Sequence, residues 1–276
     1  MQKATALAVL AVSALFVVVG ATDIRADEPD THPVRPRLAV LEFHDYSHYR
    51  GHLLGRRAAE TLGLALEDTG RWQLINSAVV RRACRDLDLA PPFAAGYQQA
   101  VAHRIGAEVV VTGRIEGLQI SPAAGKVTVK VVLEFVERIG GQSLLSMEVS
   151  GSAQRDHPAP RPTDIIVEEA LAAACADVAT IAATVPAAPA EVIAVDEKHV
   201  TLRSGAETAL HTGDIMLLYR IKSSPEPVAE LLAVLMVKNT AAPTARAAVV
   251  ETLGTIYTGD LAVCVGPARQ REPTTR

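Results

Sequence analysis

The chain has 276 residues and few aromatics, 4% in all with a single Trp. A core built without many large rings has to close with small aliphatic side chains, and Ala is abundant here. Cysteine is also scarce: Cys84, Cys175 and Cys264. An odd count excludes a fully paired disulfide framework and leaves at least one thiol free. Cys84 and Cys175 fall on expected helices and could pair, but buried free thiols acting as small hydrophobes are the favoured reading. The formal net charge is −4, so no basic excess points to nucleic acid. Beyond the amino-terminal segment no apolar run reaches the ~20 residues that a membrane-spanning helix needs.

Signatures of catalysis are missing as well. No Gly-x-Ser-x-Gly nucleophile elbow occurs. Ala124-Gly125-Lys126 is not a phosphate loop, because Ile120 stands where the first Gly belongs and Val127 replaces Ser or Thr. The expectation is a protein that is not an enzyme.

What is present begins with an export signal. Lys3 precedes an apolar run over residues 4–19, and Val19-Gly20-Ala21 offers small residues for cleavage. Residues 1–21 are therefore expected to be a signal peptide, which places the mature chain in the periplasm. No Cys ends the run, which argues against a lipid anchor. Residues 22–36, rich in Asp, Pro and His, are expected to be a flexible leader.

Residues 37–183 read as one α/β domain. The apolar run at 37–43 predicts a buried strand. Leu54, Ala58, Leu62, Ala65 and Leu66 predict a helix closed by Gly70. Residues 71–76 predict a second strand, and Asn76 or Ser77 caps a helix carrying Val79, Val80, Ala83 and Leu87. Another helix is expected over 94–105. Three strands then follow, at 107–120, 126–137 and 145–153, the last two alternating apolar and polar residues. A final helix over 163–183 presents Val167, Leu171, Ala174, Val178 and Ile181 as its apolar stripe. The expected order is β-α-β-α-α-β-β-β-α, with the helices on one side of a mixed sheet. Residues 184–190 are a Pro/Ala linker. Residues 191–265 carry short strands and a repeated Thr-Gly-Asp unit (212–214 and 258–260), in which Gly supplies an unusual backbone angle and Asp binds nearby amides. The fold class is α+β: a two-layer mixed-sheet α/β domain followed by a small all-β barrel or sandwich. Residues 266–276 are expected to be a disordered tail.

Leu38-Ala39-Val40-Leu41-Glu42-Phe43, with Asp45 and Ser47, resembles the opening of TolB amino-terminal-like domains. Curli-secretion channels and the lipoprotein activators of penicillin-binding proteins share that opening. Trp72-Gln73-Leu74-Ile75 is similar to their second strand, and Ile105-Gly106-Ala107 before Val109-Val110-Val111-Thr112-Gly113 to their third. Gly213-Asp214-Ile215, the strand at 231–237 and Gly259-Asp260-Leu261 resemble the carboxy-terminal β-domain of flagellar assembly protein T. The chain departs from these families in having neither the lipid-anchoring Cys nor the inserted membrane hairpins of curli channels. It also departs in missing an extra amino-terminal domain expected of the flagellar protein. The resemblance implies a cell-envelope assembly or scaffold protein that binds other envelope proteins, forms a homo-oligomer or ring, and associates peripherally with the outer membrane.

One constellation points elsewhere. His44, His48 and His52 are spaced four apart with Asp45 adjacent. On a helix they would share a face suited to zinc, which gives the alternative of a periplasmic small-molecule or metal-binding protein using the loop 44–52. The plainer reading is a polar loop at a strand end. That end is where ligands often bind in α/β sheets. The pairs Arg56-Arg57 and Arg81-Arg82 read as solvated helix faces.

Overall fold

The computed structural model describes residues 34–49, 53–121, 125–141, 143–154, 162–185, 189–204, 210–222 and 228–267. The export signal, most of the leader, His52, much of the 184–190 linker and the tail from 268 lie outside these residues. The elements run β1 (Arg37–Val40), β2 (His44–Asp45), α1 (Leu53–Asp68), β3 (Gln73–Leu74), α2 (Ser77–Asp86), α3 (Ala95–Ile105), β4 (Val109–Ser121), β5 (Lys126–Glu137), β6 (Ser143–Gln154) and α4 (Thr163–Ala183). Among the described residues the elements of the second half are all strands: β7 (Ala190–Asp196), β8 (His199–Arg203), β9 (Asp214–Lys222), β10 (Val228–Ala241), β11 (Thr244–Thr252) and β12 (Leu261–Pro267).

The first sheet has the order β3-β1-β4-β5-β6, with β2 pairing beside β4. Strands β3, β1 and β4 are parallel, whereas β4, β5 and β6 form an antiparallel meander. Strand β3 is two residues long, shorter than the run at 71–76 suggests, and pairs only Arg37 and Leu38 of β1. The helices were expected on one side, but they cover both. Leu38, Val40, Val109 and Val111 pack with α1 and α4. Ala39, Leu41 and Val110 pack with α2 and α3. The cause lies in the sequence: 38–41 and 109–111 are apolar at every position, and a strand apolar on both faces must be covered on both. Strand β5 alternates instead, burying Val127, Val129, Val131, Leu133 and Phe135 while Thr128, Lys130 and Glu134 remain partly exposed. Helix α4 covers only the apolar side.

Local signals place these elements. The Asn76 side chain accepts the Ala78 amide at 2.8 Å and caps α2. Helix α4 presses its backbone onto β6 at Gly151, where a Cβ would lie 2.0 Å from the Ala170 carbonyl oxygen. Its buried stripe includes Val167, Leu171, Ala174 and Val178 but not Ile181, which is 41% exposed, and Ala182 is buried instead.

The six later strands close into a barrel, β10-β11-β8-β7-β12-β9. Its interior is filled by Val192, Val200, Leu202, Met216, Leu218, Leu235 and Cys264. One wall is buried from outside as well. Ile215, Leu217, Tyr219, Val234, Val263 and Val265 join the core of the α/β half. This explains six consecutive buried residues at the start of β9. The two Thr-Gly-Asp units make matching turns. Gly213 and Gly259 have φ of 95° and 92°. The Asp214 and Asp260 carboxylates accept the amides of His211 and Tyr257, three residues back, at 2.7 and 2.8 Å. Asp260 also takes both arms of Arg220.

A buried polar joint fastens the barrel to the sheet. The Tyr219 hydroxyl donates to the Glu108 carboxylate at 2.8 Å, and so does the Arg37 amide at 2.8 Å. Arg71 donates to the carbonyls of Ala182, Val185 and Cys264, tying the end of α4 to β12.

Candidate protein interface

His44 and His48 do not share a helix. His44 lies in β2 with its ring edge-on to Tyr46 at 4.3 Å, and His48 sits in a turn with φ of 55°. Asp45 Oδ1 accepts the Ser47 amide at 2.8 Å and the Ser47 hydroxyl at 2.5 Å, while its Oδ2 is buried without a hydrogen-bond partner. The helical geometry that would aim His44 and His48 at one zinc ion is therefore not formed by these two. Among the described residues no group of three His, Cys, Asp or Glu side chains gathers to hold a metal. His44 and Tyr46 instead border a shallow pocket of about 200 Å³ with Gln98, Thr112 and Glu134.

At the carboxyl end of β1 a larger groove of about 420 Å³ opens between α1 and α2. Its floor is apolar, with Val40, Val80 and Phe93, and its rim is charged. The rim charges are largely matched: Arg81 meets Glu60 at 2.7 Å and Arg56 lies 3.7 Å from Glu42. The neighbouring Arg57 pairs with Glu168, and Arg82 lies 3.9 Å from Asp86. The arginine pairs are thus solvated faces balanced by acids. Cys84 lines the groove, where burial and the nearby Glu42 carboxylate push its thiol up, away from the reactive thiolate. All three cysteines are free. Cys175 packs against α1 on one side of the sheet and Cys84 lies by α2 on the other, so the pairing considered for them does not form.

The strongest feature is a sheet edge. Among the described residues the barrel closes on itself, so none of its strands ends a sheet. The first sheet ends in β3, with two residues, and in β6, with twelve. Strand β6 pairs with β5 along its length, and among the described residues no strand pairs with its outer side. The barrel touches its first residues, where Gly266 approaches Leu144. From there the strand runs on to Gln154. Natural edges are usually blunted with Lys, Pro or a bulge. The residues 143–154 contain neither Lys nor Pro, their one charge is Glu148, and the one irregularity in their pairing with β5 lies at the start, where Leu144 is bulged between Ser143 and Leu145. Sequence reasoning found this strand but not its position, because pairing order is a property of the whole sheet.

The polar face beside this edge is a charge ladder. Arg114 meets Glu116 at 2.7 Å, Glu116 meets Lys130 at 3.2 Å, and Lys130 meets Glu148 at 2.9 Å. Arg114 and then Lys130 lower the Glu116 carboxyl, while Glu148 and then Glu116 raise the Lys130 ammonium. Thr128 and Ser152 share a hydrogen bond of 3.0 Å in the same face. Signs alternate across β4, β5 and β6 and stop at a carboxylate on the edge strand.

No family model matches the chain, and no curated protein does. Solved structures match at low levels. A PelC dodecamer from Paraburkholderia phytofirmans aligns with TM-score 0.37 and 16% identity, over 52% of this chain and 84% of that one. The LpoB carboxy-terminal domain from Escherichia coli aligns with TM-score 0.33 and 19% identity, over 46% and 87%. Lipoprotein GNA1162 from Neisseria meningitidis gives 0.35 and 14%, over 48% and 90%. None of the three is a TolB, curli-channel or flagellar protein, so those finer resemblances gain no support from them. At such scores and identities the likeness carries no functional argument.

Proposed function

We propose that this chain is an exported, non-enzymatic scaffold of the cell envelope that binds another envelope protein by accepting a β-strand along β6. The outer edge of that strand, which no other strand pairs among the described residues, carries the reading. Edge amides and carbonyls pair with an incoming strand by ordinary ladder hydrogen bonds, so affinity comes from the backbone and selectivity from side chains on either face. Export rests on the signal-like segment at residues 1–21. Cross-linking of native envelopes followed by sizing tests the proposal. The mature chain is expected in a complex larger than itself. Replacing Ser150 and Ser152 with Lys, both exposed positions on the edge strand, should return it to the mass of a free monomer without unfolding it. Wild type already running as a free monomer, or a variant that stays in the complex, would contradict the reading.

A further inference from the structure

Resting on that reading, we infer that the strand β6 accepts carries a Lys or Arg on its polar face opposite Glu148, with apolar residues alternating on the other face. The ladder Arg114, Glu116, Lys130, Glu148 alternates in sign across three strands and ends on a carboxylate. Lys130 meets that carboxylate at Oε1, 2.9 Å away, and the Glu148 side chain is 58% exposed. A cation on the next strand would extend the alternation, whereas an acid there would face a like charge directly across the pair. Ser150 and Ser152 beside it are small and admit a neighbouring backbone. On the opposite face Leu145, Met147 and Val149 pack on the core around α4, and an added strand with valines at alternate positions would continue that layer.

The test uses two short acetylated, amidated peptides of alternating threonine and valine, one with lysine and one with glutamate at the central threonine position. Binding to the full mature chain is read by anisotropy, and its location by amide exchange along β6. The lysine peptide is expected to bind roughly threefold or more tightly, the range of a cross-strand ion pair, and to slow exchange of the outward-facing β6 amides. Glu148→Gln, which removes the charge at an exposed site and gives up only a surface ion pair with Lys130, is expected to abolish the preference. Equal binding of both peptides with β6 protected would overturn the charge inference and leave edge docking standing. Failure of both peptides to protect β6 would overturn the inference and the docking reading together.

Discussion

At the residue scale, the joint between barrel and sheet depends on one buried carboxylate. Glu108 is 8% exposed and Tyr219 1%. Burial raises the Glu108 carboxyl, against the pull of the Arg37 amide, the Tyr219 hydroxyl and the charges of Arg138 and Arg37. A raised acid stabilises the fold most fully below the ordinary glutamate range. That contribution is lost as pH climbs through the raised value. Glu108→Gln keeps an oxygen to accept from Tyr219 and Arg37 but cannot ionise. Thermal melts from acid to neutral pH should therefore show a smaller loss of stability with rising pH in the variant, and equal slopes would refute this account. Tyr219→Phe removes the donor from a buried acceptor and should cost about 1–3 kcal/mol in denaturant unfolding. None of this was legible in the sequence, because Glu108 and Tyr219 lie far apart in the chain and each looks ordinary alone. The aspartates of the two Thr-Gly-Asp units were legible, since a turn that needs positive φ and a local acceptor is written in adjacent residues. For His44 and His48 the spacing was legible but not its geometry: a four-residue interval aligns side chains on a helix, and β2 with the segment after it is not one.

At the scale of elements, periodicity decided most of what could be read. The alternation of β5 and β6 and the cap of α2 follow from local pattern. The placement of helices on both faces was missed, although the unbroken apolar runs of β1 and β4 carried the signal for it. Similar runs in β9 and β12 mark the doubly buried barrel wall. Ile181 was read into the stripe of α4 because period alone cannot tell where the neighbouring surface ends. The contact of α4 with β6 is set by a residue with no side chain. Gly151→Ala would press a Cβ onto the Ala170 carbonyl and the Ala174 amide. Such overpacking should cost about 1–3 kcal/mol, measurable as a lower denaturant midpoint at unchanged slope. A stability equal to wild type would mean that helix and strand are not in backbone contact there.

At the scale of the whole molecule, the barrel and the α/β half share one core, through Tyr219, Val263 and Val265 on one side and residues such as Trp72 and Leu144 on the other. Removing residues 190–267 would uncover that wall, so the remaining fragment should bind a hydrophobic dye and associate, whereas the full chain should not. A fragment that stays monomeric and dye-silent would show that the shared wall is not needed. Sheet order also leaves β6 as the long open edge, and the proposed binding role depends on that. Amide exchange along β6 tests it most directly, measured for the free mature protein and for its envelope complex. In the free chain alternate β6 amides between 147 and 153 should exchange fast, with those bonded to β5 protected. In the complex the fast set should become slow. Fast-set amides already protected in the free protein, or unchanged in the complex, would contradict the account.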